Sequence, residues 1–275
     1  SQLSGYCSPK GRMLALFRII ERNGAYLLQL PAPVQGNIQK RLQMFVLRSK
    51  VSISDESDNL VCIGLSGSCA EELIQQAVGN VPDESDKVAH NNGISCIRMK
   101  GDTPRFQLIL PTEHATALWE QLAIKATPTN TDLWKLSAIR AGEPAVYPET
   151  VESFVPQMVN IQMINGVSFK KGCYTGQEVV ARMQYLGKLK RRMYRAQVKS
   201  EVQPLPGDEL FSGDSTSGQG TGKIVESAPS NNGGFEILAV IEISSYDSND
   251  VHLGSIDGPQ VQFLELPYAF EDKDE

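Results

Sequence analysis

Long apolar runs are the first thing this sequence of 275 residues lacks. No stretch reaches the roughly 18 residues that a membrane-spanning helix needs, so no membrane partner is expected. Histidine is scarce, with three residues scattered at positions 90, 114 and 252. The five cysteines (7, 62, 69, 96 and 173) form no C-x-x-C pair and no cluster with histidine, so the ligand spacing of a zinc site is missing and no metal is expected. An odd cysteine count without a paired framework fits a reducing compartment, the cytoplasm. Position 1 is not methionine, and "SQLSGYCSPKGRML" runs at once into strand-like sequence, so the chain reads as the middle of a longer protein, in which any signal peptide would be invisible. Excess positive charge is also lacking: the net charge is −6, which argues against wholesale electrostatic capture of nucleic acid.

What is present is an ordinary globular composition, 41% hydrophobic and 21% charged, on a chain long enough to bury a core. The first 125 residues read as two strands and a helix, three times over. "MLALFRII" and "AYLLQL" flank Asn23-Gly24, a hairpin turn signal, and "PVQGNIQKRLQMFVL" has a helical period. The pattern returns as "KVSIS", "LVCIGL" and the helix "CAEELIQQAV", then as "ISCIRM", "RFQLIL" and "TEHATALWEQLA" with Thr112 as its cap. "GNVPDESDKVAHNNG" reads as a surface loop. Such units predict an α+β fold, helices packed on antiparallel sheets.

From Thr131 the pattern changes. "TDLWKLSAIRAG" is a helix with Leu133, Leu136 and Ile139 on one stripe, and the proline-interrupted "EPAVYPETVESFVPQMVNIQMINGVSF" reads as extended. Short strands from "MYRAQV" onward predict a separate small β-barrel or sandwich, and the tail "EDKDE" is expected to fray.

The stretch richest in chemistry is "SFKKGCYTGQEVVAR". Thr175 followed by Glu178 predicts a capping box that opens a helix with Val179, Val180, Met183 and Leu186 inward. Cys173 would then stand just ahead of a helix N-terminus with Lys170 and Lys171 beside it, all of which favour a thiolate. Downstream, "RMQYLGKLKRR" and Arg195 place six cations (182, 188, 190, 191, 192 and 195) in fourteen residues. That patch suits a polyanion; nucleic acid would also want aromatic platforms, for which Tyr185 and Tyr194 are available. Trp134 lies beside its helix's apolar stripe, where an indole can stack on a flat heterocycle.

Lys171 through Glu178 ("KGCYTGQE"), then Ala181-Arg182, with "VPQMVN" upstream, "KRR" downstream, "CSPKGRM", "RAGEPAVYPE" and "LPY", resembles the YgfZ family of folate-binding proteins across essentially the whole chain. That family is similar in fold to the aminomethyltransferase (T-protein, GcvT) of the glycine cleavage system. The resemblance implies a GcvT/YgfZ-like α+β architecture with ferredoxin-like ββα units. A folate-binding core would cover 1–190, interleaving 1–48 and 126–190 around 49–125, and a small barrel would cover 191–275. It implies that tetrahydrofolate binds against Trp134, Gln157, Tyr174, Gln177 and Arg182, and that Cys173 and Lys171 carry the reactive chemistry. It further implies a cytoplasmic monomer that supports iron–sulfur enzymes or their assembly, those that thiolate tRNA included, with transient tRNA contact. The transferases carry a catalytic aspartate in the strand after a glycine-rich turn, whereas no carboxylate occurs here between Gly11 and Ile20. A folate-dependent one-carbon transferase, the alternative function, would need another base. A tRNA-binding module using the 182–195 patch is a third reading.

Overall fold

The computed structural model describes residues 1–213 and 220–270. In chain order its elements are β1 (Gln2–Cys7), β2 (Met13–Arg22), β3 (Ala25–Gln29), α1 (Ala32–Met44), β4 (Leu60–Ser66), α2 (Ala70–Ala77), β5 (Val88–Asn91), β6 (Ile94–Met99), β7 (Arg105–Pro111), α3 (Thr112–Ala123), α4 (Thr131–Arg140), α5 (Gln177–Tyr185), β8 (Arg191–Val198), β9 (Glu209–Phe211), β10 (Gly222–Pro229), β11 (Phe235–Glu242), α6 (Ile243–Ser248), β12 (His252–Leu253) and β13 (Val261–Leu264). They divide into two compact units, the first made of residues 1–2, 18–29 and 35–131, the second of 3–17, 30–34 and 132 onward.

In the first unit, Asn23 and Gly24 both take positive φ and close the β2–β3 hairpin, as the sequence predicts. A four-stranded antiparallel sheet runs β4-β7-β6-β5. Along β7, Phe106, Leu108 and Leu110 alternate onto one face and are fully buried with Ile74 of α2 and Leu118 and Leu122 of α3. Each such side chain contributes about 1.5–3 kcal/mol of burial, which fixes the register of the strand. Three local readings are corrected. "KVSIS" forms no strand: Val51 is exposed and the Ile53 carbonyl accepts from Gln39 and Gln43 of α1 instead of a ladder. The loop at 79–93 holds β5, because Asn92-Gly93 makes the same positive-φ hairpin turn as Asn23-Gly24. Thr112 is the first residue of α3, after the N-cap Pro111, and its hydroxyl donates to the Asp58 carbonyl at 3.0 Å.

The second unit is built on a six-stranded antiparallel sheet in the order β12-β9-β10-β11-β8-β13. It curls until its two ends meet at the His252–Gln260 bridge. Both faces of β11 are covered. Ile237, Ala239 and Ile241 point into one cluster with Tyr194, Ile224 and Val251. Leu238 and Val240 point into another, with Leu136 and Ile139 of α4, Phe154, Val159 and Ile161. A strand buried on both sides reads as the continuous apolar run "FEILAVIE" rather than as an alternation. Arg140 of α4 and Arg195 of β8 clasp the buried Glu236 carboxylate at 2.6 and 2.8 Å.

Leu133 is exposed, so the apolar stripe of α4 is narrower than its sequence period suggests. The stretch between α4 and α5 is not extended. Pro148 and Pro156 open short 3-10 turns, Pro148–Thr150 and Pro156–Val159, where a missing N–H is no loss. The α+β class with antiparallel sheets and a curled C-terminal sheet is as expected from sequence. The "EDKDE" tail lies outside the described residues.

Candidate functional site around the 171–178 motif

The motif at 171–178 and the turn at 7–12 are brought together in the second unit. Ser8 to Arg12 form a tight turn, with Ser8 N donating to Arg12 O at 2.8 Å and Gly11 N to Ser8 O at 2.9 Å. Arg12 pins it by donating to the carbonyls of Glu152 and Ser153, and Met13 N donates to Phe154 O. Against this turn sits the start of α5. The expected capping box is absent: the N-cap is Gly176, in the left-handed region at φ 82°, with no side-chain cap, while Thr175 and Glu178 are exposed. The helix start is fixed by backbone contact. A Cβ at Gly176 would lie 2.8 Å from Gly11 Cα, and one at Gly11 would lie 2.7 Å from Val179 Cβ. Of the four residues expected inward on α5, Val180 is buried, Val179 and Met183 are half-buried and Leu186 is exposed.

Gln157 reaches the helix from the 3-10 turn. It is buried, and its Nε2 donates to the Val180 carbonyl at 2.7 Å. Its Oε1 is buried without a hydrogen-bond partner, as are Asn160 Oδ1, Gln162 Oε1 and Ser8 Oγ. Buried polar atoms left unsatisfied mark places where a water or ligand belongs.

Cys173 and Lys171 are exposed, Tyr174 and Gln177 half-buried, and Arg182 exposed near the end of α5. The Lys171 ammonium stands 4.9 Å from the centre of the Tyr174 ring. Cys7 is an electrostatic neighbour of both. Burial pushes its thiol up to about 11 while Lys171 pulls the other way, and burial together with Cys7 raises the Tyr174 phenol. Trp134 is half-buried on α4, whose Leu136 and Ile139 share a core cluster with Val159 of the 3-10 turn that carries Gln157. The structure thus groups Lys171, Cys173, Tyr174 and Gln177 on one short segment with Gln157 bonded to its helix, while Trp134 lies on a separate helix of the same unit.

Relatives match nearly the whole chain. The Colwellia psychrerythraea "tRNA-modifying protein YgfZ" is 40% identical over 211 residues, which is 76% of this chain and 63% of that protein. The Yersinia enterocolitica protein of the same name is 30% identical over 278 residues, covering 98% of this chain and 82% of its own length. The chain belongs to the YgfZ family. Another YgfZ, from Pectobacterium carotovorum, is 29% identical over 98% of this chain and 81% of its own. No family model matches. In fold the chain is similar to the glycine cleavage system aminomethyltransferase T from Bartonella henselae, with a TM-score of 0.69 at 13% identity over 97% of this chain and 74% of that one.

In this YgfZ-family chain, sequence reasoning missed the partnership of Cys7, Ser8 and Gly11 with the motif. The available signal was glycine: "SPKG" and "YTG" each need a residue that tolerates positive φ and close approach. The basic run also divides. Arg191 pairs with Glu242, Arg195 with Glu236, and Arg192 covers the Phe270 ring at 4.1 Å, while Arg182, Lys188 and Lys190 are exposed. Tyr194, one of the two aromatic platforms expected from sequence, is buried and stacked on Tyr246, leaving Tyr185. Among the described residues no three His, Cys, Asp or Glu side chains gather as a metal ion would require, and no helix is long and apolar enough to cross a membrane.

Proposed function

We propose that the chain binds tetrahydrofolate in its second unit and supports iron–sulfur enzymes, those that thiolate tRNA included, through Cys173. The tRNA-modifying role follows the relatives' name. The folate part is carried by one observation: Gln157, Asn160 and Gln162 offer buried amide oxygens that no protein donor fills. A reduced pterin edge is rich in N–H donors, so these acceptors suit it, and Trp134 offers a half-buried ring for stacking. Gln157, Trp134, Tyr174 and Gln177 would hold the pterin end, and Arg182 a carboxylate of the tail. Tetrahydrofolate supplies a one-carbon carrier when bound. The chain's own part is to orient it and to present a thiol beside two lysines. The strand after Gly11 is apolar and buried from Met13 to Phe17, which leaves no base there for aminomethyl transfer and favours the accessory role over a transferase.

The test is gene deletion with complementation. The wild-type gene restores tRNA thiolation and iron–sulfur enzyme activity, and Cys173→Ala does not. Full rescue by Cys173→Ala would remove the thiol from the mechanism. Calorimetry of the purified chain with tetrahydrofolate tests the binding step separately.

A further inference from the structure

We propose that the end of α5 and the loop at 168–173 form one docking surface for unpaired nucleotides of an RNA loop. The proposal rests on the tRNA-modifying reading above and names the part of the partner that this segment meets.

Tyr185, the last residue of α5, is 69% exposed, and its ring meets that of Phe169 edge-on at 6.1 Å. That contact joins two separate stretches, the motif loop and the helix end, into one patch. Leu186, the next residue, is 85% exposed. Two large side chains displayed beside the half-buried Phe169, on a chain with well-filled cores, mark a contact surface rather than a leftover of folding.

Charge identifies what covers it. From Ser168 to Lys190 the exposed cations are Lys170, Lys171, Arg182, Lys188 and Lys190, against a single carboxylate, Glu178. The chain as a whole is at −6, so this is a local inversion of sign. The neighbouring arginines 191, 192 and 195 are engaged inside the fold, which separates structural cations from displayed ones. An acidic protein segment would satisfy the charge but has no use for a displayed aromatic face. A single-stranded nucleic acid uses both, phosphates on the cations and a base stacked on the ring. A duplex keeps its bases stacked on one another and offers Tyr185 nothing to pair with, so the fitting partner is a loop.

Fluorescence anisotropy on the full chain decides it, with four probes: an unmodified tRNA transcript, a 12-nucleotide oligouridylate, an RNA duplex of equal length and polyglutamate. The expected result is binding of tRNA and the single strand in preference to duplex and polyglutamate. Affinity should fall with salt at a log–log slope of up to about −3.5, from five cations at ~0.7 each. Tyr185→Ala should weaken binding by about five- to a hundred-fold, while Tyr185→Phe and Cys173→Ala retain it. All these positions are exposed, so thermal melts should stay unchanged. Equal binding of polyglutamate with no loss in Tyr185→Ala means an acidic partner and overturns the proposal, as does absence of RNA binding. Because Cys173→Ala binds RNA here yet fails in complementation, loss of this surface and loss of the proposed function are told apart.

Discussion

Gly11 and Gly176 meet so closely that neither has room for a side chain. A Cβ on Gly176 would lie 2.8 Å from Gly11 Cα and would strike the Ser8 carbonyl, and both residues hold positive φ. The contact locks the 7–12 turn to the first turn of α5, so the motif's position depends on backbone rather than on a cap. Gly176→Ala should therefore cost about 2–4 kcal/mol, combining left-handed strain with overpacking. Gly172→Ala, with open space around it, should stay within about 0.5 kcal/mol. Urea denaturation of the two variants checks this, and equal stabilities would remove the interlock.

Trp134 gives the second prediction. Its ring is half-buried on α4, and the helix is anchored without it by Leu136 and Ile139. Replacing it with alanine should weaken tetrahydrofolate binding by about tenfold, the worth of one aromatic stack, and Trp134→Phe should recover most of the loss. Calorimetry reads both. An unchanged dissociation constant in Trp134→Ala would place the pterin elsewhere.

The third prediction concerns pH. Burial alone would raise the Glu236 carboxyl, but hydrogen bonds and charge from Arg140 and Arg195 outweigh it and hold the group below the usual carboxylate range. A depressed folded-state pKa contributes stability that is present above the unfolded value, near 4.3, and is lost as pH falls through the lower folded one. Glu236→Gln should thus cost about 1–3 kcal/mol at pH 7, less than for a fully buried pair because both arginines keep some solvent. The gap to wild type should close below about pH 4. A gap independent of pH, followed by urea melts from pH 7 to 3, would mean that packing rather than charge is lost.

Much of the fold was legible because its signals are local. Asn23-Gly24 gave a hairpin, and the runs at 191–198, 222–229 and 235–242 gave strands of the curled sheet. The same Asn-Gly signal at 92–93 was passed over because acidic and polar residues around it looked like loop. The capping box failed for a different reason. Thr175 and Glu178 have the right spacing, but whether a serine or threonine caps depends on backbone dihedrals, and here contact with Gly11 sets them. The motif's residue types and its place ahead of a helix were legible in its own eight residues. Its dependence on Cys7, Ser8 and Gly11, more than 160 residues away in sequence, is a tertiary fact that periodicity does not carry.

The last prediction concerns which thiol reacts. Cys7 and Cys96 are buried, and desolvation pushes them up to about 11 and about 12, so both should be inert to iodoacetamide at neutral pH. Cys62 is exposed, but desolvation of its thiol raises it, against a hydrogen bond from Gln107, so it too should react slowly. That leaves Cys69 and Cys173, both exposed. They differ in surroundings: Cys69 is the N-cap of α2, but the first turn of that helix carries Glu71 and Glu72, whereas Cys173 stands three residues ahead of the N-cap Gly176 and follows Lys170 and Lys171. Nearby anions disfavour a thiolate and nearby cations favour it. Cys173 should therefore alkylate fastest of the five, and mass spectrometry of the peptides after timed labelling gives the order. Raising the salt should slow Cys173 and speed Cys69, since screening weakens both influences. Equal rates for the two, unaffected by salt, would show that the lysines do not act on the sulfur. Cys173→Ala should meanwhile melt within about 1 kcal/mol of wild type, as expected for an exposed residue outside both cores. A larger loss would make the cysteine structural and end its candidacy as the reactive group.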